Sequence, residues 1–375
     1  MILPPLPLME FLPREELMHS TEYVPEYAVW ELTLRCNMRC LHCGSSAGRA
    51  RKNELTLEEC LQVADDLLGL GCRQITFIGG EIFLYRGWEK VARRMSDGGA
   101  LVNIITNAYR LGDAEITRIK EAKLSNVGIS LDGMEKNHDL IRGKKGSYQK
   151  VLRAFERLNQ ADIPLAVVTS LLAFNVADLN EMHNLLLAYG VKIWQIQLVT
   201  GMGNMAGRHE DLLDPRKIGE ITNFIREKNR GGPLRVYAGD DIGYFDENEV
   251  YLRSRPGTIS VWNGCQAGLR VVGIDSVGNV KGCESIYSDK FIEGNLREES
   301  LAEIWTKEGN FAYNRNFEVG MLTGACACCD KGSVCRGGCR GSSYFNSGSL
   351  FESRYCSYPG RPDCSANQTV NGQGG

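Results

Sequence analysis

Residues 28–43 read AVWELTLRCNMRCLHC, an apolar strand-like run that passes at once into three cysteines spaced C-x3-C-x2-C, at Cys36, Cys40 and Cys43. The same alternation continues downstream. ITFIGG (75–80), LVNIITN (101–107), NVGISLDG (126–133), PLAVVTSLL (164–172) and IWQIQLV (193–199) are short, β-branched and bounded by turn residues, as buried parallel strands are. Helical patterns lie between them. LTLEECLQVADDLLGLG (55–71) carries apolar residues at helical spacing and stops at Gly71, and the pattern from Ser147 ends before Pro164. About six βα units over residues 28–230, roughly 34 residues each, predict an α/β design on a parallel sheet.

Composition narrows the class. The chain has 375 residues and a formal net charge of −3, with 43% hydrophobic and 24% charged residues. Its length suggests about two domains. The charge balance gives no support to nucleic-acid binding, whose footprint is basic. No run of 18 apolar residues is present, and the start, MILPPLPLMEFLPREE, is broken by prolines and lacks a basic segment. The expectation is a cytoplasmic protein with no membrane or nucleic-acid partner. In that compartment, clustered cysteines are read as metal ligands or catalysts before disulfides.

There are 14 cysteines. Five lie in the first 72 residues and nine in the last 111, so a cysteine-poor body is followed by a cysteine-rich module. Random placement would produce about 0.02 matches to C-x3-C-x2-C. Three thiolates on one loop can hold three corners of a four-iron cluster and leave one iron open to a ligand. A zinc site completed by His42 is the competing reading.

The motif resembles that of the radical SAM superfamily, and the likeness spans residues 28–200 as a partial (β/α)6 TIM-like barrel. It implies a [4Fe-4S] cluster on Cys36, Cys40 and Cys43 whose open iron binds S-adenosylmethionine (SAM). One electron then splits SAM to a 5′-deoxyadenosyl radical. His42 occupies the family's ring-bearing position. Gly79, Gly80 and Glu81 resemble the family's GGE motif for the SAM amino group, although Ile82 stands where a proline is usual. Ser130 and Asp132 resemble ribose-side contacts. Arg142 resembles a residue that pairs with the SAM carboxylate, where a guanidinium makes two charge-assisted bonds.

A second pattern, C-x12-G-x4-C (Cys265, Gly278, Cys283), then C-x2-C-x5-C-x3-C (Cys326, Cys329, Cys335, Cys339), then Cys356, resembles the SPASM extension of this superfamily. It starts on an expected hairpin of LRVVGID (269–275) and NVKGC (279–283). The resemblance implies two auxiliary iron–sulfur clusters of [4Fe-4S] type. Cys326, Cys329, Cys335 and Cys356 would hold one, and Cys265, Cys283 and Cys339 the other, whose fourth ligand stays open. A structural zinc competes here too. Cys328 reads as a bystander, Cys60 and Cys72 as core residues, and Cys364 as a spare thiol or a substitute ligand.

The expected division is an N-terminal extension at 1–27, the partial barrel at 28–230, a bridge at 231–264, a small cysteine-rich α+β SPASM domain at 265–362, and a flexible tail at 363–375. The resemblance implies an oxidoreductase acting on a peptide or protein, with a ribosomally made precursor peptide favoured, and a flavodoxin- or ferredoxin-type electron donor. The 27 residues before the first strand are too few for a leader-binding domain, so a separate leader-binding protein is a candidate partner. Three alternatives stay open: decarboxylation or dehydrogenation of a small molecule as in haem biosynthesis, anaerobic sulfatase maturation, and a zinc-binding module. Val271 stands where sulfatase maturases carry a further cysteine, against that alternative. Glu284, directly after Cys283, is the candidate catalytic proton acceptor, with a solvated turn residue as the plainer reading. Asp240, Asp241 and Tyr244 read either as channel lining or as a charged linker face.

Overall fold

The computed structural model describes residues 23–239, 242–254 and 257–361. The expected strands form as β1 (Tyr27–Thr33), β2 (Gln74–Gly79), β3 (Leu101–Thr106), β4 (Asn126–Ser130), β5 (Leu165–Leu171) and β6 (Ile193–Leu198). They alternate with helices α1 (Leu57–Gly69), α2 (Trp88–Asp97), α3 (Asp113–Glu121), α4 (Glu135–Arg142), α5 (Ser147–Gln160), α6 (Leu179–Ala188) and α7 (Ile218–Lys228). Every neighbouring pair from β1 to β6 is parallel and the strands are used in chain order. Right-handed crossovers between strands used in order put all the helices on one face, and the twisted sheet curls around the other as an open barrel.

Two features extend that sheet. β7 (Arg235–Ala238) adds a further parallel strand beside β6, inside the stretch expected to be a bridge. β8 (Val271–Ile274) pairs in parallel with β1, and β9 (Asn279–Lys281) and β10 (Gly294–Asn295) follow antiparallel. The result is one ten-stranded sheet, β10-β9-β8-β1-β2-β3-β4-β5-β6-β7. The hairpin between Cys265 and Cys283 is therefore built onto the barrel's first strand.

Strand pleating sorts the side chains. Trp30, Phe77, Ile104, Ile129, Val167 and Trp194 are fully buried in the layer shared with the helices. Burial of side chains of this size contributes roughly 1.5–3 kcal/mol each. The neighbouring positions point to the barrel's inner face, where polar side chains are mixed with apolar ones such as Val29, Ile78, Ile105 and Val168. Thr76, Asn103 and Asn126 stand side by side in register across β2, β3 and β4. Ser170 and Gln197 pair across β5 and β6, and Gln195 lies two residues before Gln197.

Local signals fix the helix ends. Thr56 and Glu59 form a reciprocal capping box on α1, and Gly71 follows in a left-handed turn at φ +91°. Asp139 accepts bonds from the backbone of Gly146 and Tyr148 and from the Ser147 hydroxyl, which fixes the start of α5. No helix among the described residues is long and apolar enough to cross a membrane.

Candidate functional site

The first three cysteines lie on the loop that leaves the carboxyl end of β1. Its ends are closed by backbone bonds from Cys36 to Gly48 (3.1 Å) and from Gly48 to Leu34 (2.8 Å). The Glu54 carboxylate accepts from the Thr33 hydroxyl and from the amides of Leu34 and Arg51. Segments that follow β4 and β6 hold the middle of the loop. Asn204 donates to the carbonyls of Cys40 (2.8 Å) and Cys43 (3.0 Å), Leu41 donates to Ile141, and Lys144 donates to Asn37. Asn107 and Arg142 approach the sulfurs of Cys36 and Cys40, each at 3.9 Å. Burial pushes the Cys36 thiol up to about 11 and raises that of Cys40. A ligand that takes thiolates is needed to draw these protons off.

Gly79 and Gly80 are where this loop and β2 meet. A Cβ on Gly80 would lie 2.2 Å from the Arg35 carbonyl oxygen, and one on Gly79 2.3 Å from that of Thr33. Gly79 also has φ +137°. The amides of Gly80 and Glu81 donate to the same two residues' carbonyls. Gly80→Ala is thus expected to displace the cysteine loop, lower the melting temperature and slow SAM cleavage, on the order of 10²-fold for a 1 Å misplacement. Quantifying 5′-deoxyadenosine from the variant checks this; a wild-type rate would contradict it.

Glu81 is fully buried. It accepts from the Thr106 hydroxyl (2.7 Å) and the Asn107 amide (2.9 Å), and burial raises its pKa. Asp132 is also fully buried, between Arg142 (2.6 Å) and His42 (3.2 Å). Burial works against its charge, but Arg142 and His42 outweigh it and hold the carboxyl well below its ordinary range. His42 thus turns toward Asp132 and not toward the thiols as a zinc ligand would. Ser130, at the end of β4, is buried nearby in sequence, and the Asp132 amide donates to His138 Nδ1 at 3.2 Å. The sequence offered no signal for His138, Thr106 or Asn107.

The C-terminal cysteines gather in one region. Cys326, Cys329, Cys335 and Cys356, one expected set, line a cavity. Cys265, Cys283 and Cys339, the other expected set, pack with Tyr244 and Trp262 in a buried cluster that also takes in Cys335 and Cys356. Tyr244 accepts from the Cys339 amide at 3.1 Å and is buried, which excludes the linker-face reading for it; Asp240, Asp241 and Cys364 lie outside the described residues. A hydrogen bond from Cys339 holds the Cys265 thiol below its ordinary range against its burial, with help from Arg340. Cys328 is exposed and disulfide-bonded, apart from either set, while Cys60 and Cys72 are core residues. Among the described residues, no three His, Cys, Asp or Glu side chains are gathered as for a single metal ion. Four thiols around one cavity suit a polynuclear cluster.

Glu284 is 5% exposed, which overturns the solvated-turn reading. Its Oε2 meets Lys281 Nζ at 3.2 Å, while its buried Oε1 has no hydrogen-bond partner among the described residues. Burial pushes its carboxyl up to about 8, with Lys281 opposing. A carboxyl in that range can take up and release a proton near neutral pH. Beside it, a buried network links the first cysteine loop to the hairpin. Arg51 binds Glu31, the Ser276 hydroxyl and the Tyr287 hydroxyl, each at 2.6 Å, and Tyr287 also donates to Glu31.

The comparisons with known proteins agree with this geometry. Residues 30–186 match the radical SAM superfamily, and residues 265–330 match the SPASM iron–sulfur cluster-binding domain. The chain belongs to the radical SAM superfamily and is an enzyme with a C-terminal SPASM domain, whose cofactors are iron–sulfur clusters and SAM. Among its relatives, the AdoMet-dependent heme synthase of Methanosarcina barkeri is 27% identical, over 90% of this chain and 98% of the relative. The mycofactocin maturase MftC of Mycolicibacterium smegmatis is 29% identical, over 86% of this chain and 79% of the relative. In structure, Streptococcus suis SuiB bound to SAM superimposes with a TM-score of 0.70 at 15% identity, covering 88% of this chain and 76% of SuiB. The enzyme anSMEcpe, with bound AdoMet and a peptide, gives 0.67 at 18% identity, covering 88% and 93%.

Proposed function

We propose that the substrate is a peptide or protein, with a ribosomally made precursor peptide favoured, and that Cys36, Cys40 and Cys43 hold the cluster that binds SAM. Bound there and at the two C-terminal cysteine sets, the groups supply a one-electron cleavage of SAM and a one-electron sink for the oxidised substrate. The protein's own residues do the rest. Asp132 holds Arg142 and His42 beside the Cys40 loop, so that Arg142 is oriented for a carboxylate. Glu81 lies at the end of β2 as a buried acceptor for an amino group. Glu284 accepts the proton that the substrate loses.

The observation that carries the peptide reading is the chemistry of the barrel's inner face. Thr76, Asn103, Asn126, Ser170, Gln195 and Gln197 offer neutral donors and acceptors, and the buried Oδ1 atoms of Asn103 and Asn126 have no partner among the described residues. Such groups suit the amides of a peptide. Heme-type chemistry is the second reading, favoured by the near-complete overlap with a heme synthase. A substrate with several carboxylates calls for free cations. Arg235, which stands in these rows, spends its guanidinium on the carbonyls of Asn229, Tyr251 and Ser254. Lys281 is paired with Glu284, and Arg51 with Glu31.

Anaerobic incubation with SAM, a reductant and candidate precursor peptides, followed by mass spectrometry, tests the proposal. A change in peptide mass that requires SAM is expected. Unchanged peptides together with decarboxylation of a tetrapyrrole would replace it with the second reading.

A further inference from the structure

Arg340 is a fully buried cation that pairs with no carboxylate among the described residues. It follows Cys339 directly and opens the helix Arg340–Ser347. Its Nε donates to Asn314 Oδ1 (3.0 Å), Nη1 to the carbonyls of Arg336 and Leu350 (2.9 Å to the latter), and Nη2 to the Tyr313 carbonyl (3.4 Å). The Phe351 ring lies 4.6 Å from the guanidinium carbon. Among the described residues, no Asp or Glu oxygen is within ion-pair distance, and the acidic groups whose charge it feels are Cys265, Cys339, Tyr313 and Cys335. A second cation, Arg336, lies near enough to oppose it, likewise without a carboxylate among the described residues.

A buried guanidinium that meets only neutral carbonyls is costly unless an anion compensates it. Thiolate-ligated iron–sulfur clusters are anions, and reduction adds a further negative charge. We propose that Arg340 is the fixed counter-charge of the cluster held by Cys265, Cys283 and Cys339, and that it raises that cluster's reduction potential. This rests on the auxiliary-cluster reading above. Arg340 acts through the cluster, as a positioning and tuning residue, and its charge favours the reduced form of the group that accepts the substrate's electron.

The test is a redox titration, followed by electron paramagnetic resonance, of the full-length, anaerobically reconstituted protein as wild type, Arg340→Lys and Arg340→Gln. Arg340→Gln is expected to make reduction of this auxiliary cluster at least tenfold less favourable, a fall of about 59 mV for one electron. Arg340→Lys, which keeps the charge and loses most of the bonds to carbonyls, is expected to stay near wild type. Equal potentials in wild type and Arg340→Gln would overturn the role, as would equal shifts in both variants, which mark lost bonds and not lost charge. If Arg340→Gln loses iron from this site, retention by Arg340→Lys supports the counter-charge, and loss in both overturns it. Wild-type protein with no auxiliary signal would overturn the cluster reading itself, an outcome distinct from unmoved potentials.

Discussion

Replacing Cys36, Cys40 and Cys43 together by alanine is expected to abolish 5′-deoxyadenosine formation while leaving the protein folded with about two thirds of its iron. Three four-iron clusters amount to about 12 irons per chain, and the variant should hold about 8. The reason is local. These cysteines sit on one loop at the carboxyl end of β1, whereas the C-terminal cysteines lie beyond β7 in their own packed cluster and cavity. The first loop is joined to Asn107, which binds Glu81, and to Arg142, which pairs with Asp132. Iron analysis and chromatographic quantification of 5′-deoxyadenosine check both halves. Residual SAM cleavage in the variant would refute the assignment of this loop, and wild-type protein that stalls near 4 irons with normal cleavage would remove the auxiliary clusters.

Glu284→Gln is the second large effect. The variant should keep its iron and form 5′-deoxyadenosine, yet lose product formation by on the order of 10²–10⁴-fold, the usual contribution of a positioned proton acceptor. The substitution preserves shape but leaves Lys281 as a buried ammonium without its partner, a defect that can cost roughly 3–5 kcal/mol. The double variant Glu284→Gln with Lys281→Met removes that complication and should behave as the single one does. If Glu284 is instead a ligand to the Cys265, Cys283 and Cys339 site, the auxiliary electron paramagnetic resonance signal changes as well. Product at the wild-type rate with an unaltered spectrum would contradict both roles.

The sequence made the central sheet legible because its strands are short runs of Val, Ile and Leu between turn residues, and each forms within about three residues of its expected ends. Cysteine spacing marked the loop of Cys36, Cys40 and Cys43 for a similar reason, since its cysteines are close in sequence. β7 was not legible. Its four residues, Arg235–Ala238, are too few to show a period, and pairing with β6 makes it a strand. The fate of charged residues was the least legible of all. Glu284 after a cysteine reads as an exposed turn until β8 and Lys281 enclose it, and Asp132 meets His42 across 90 residues of chain. Arg340 has no sequence signature as a counter-charge, because what marks it is that its bonds among the described residues go to carbonyls far along the chain.

The most direct test of the account is deuterium transfer. A precursor peptide deuterated at the reacting carbon, incubated anaerobically with enzyme, SAM and reductant, should pass its label into 5′-deoxyadenosine as the peptide changes mass. Unlabelled 5′-deoxyadenosine, with the deuterium retained in an unmodified peptide, would contradict it.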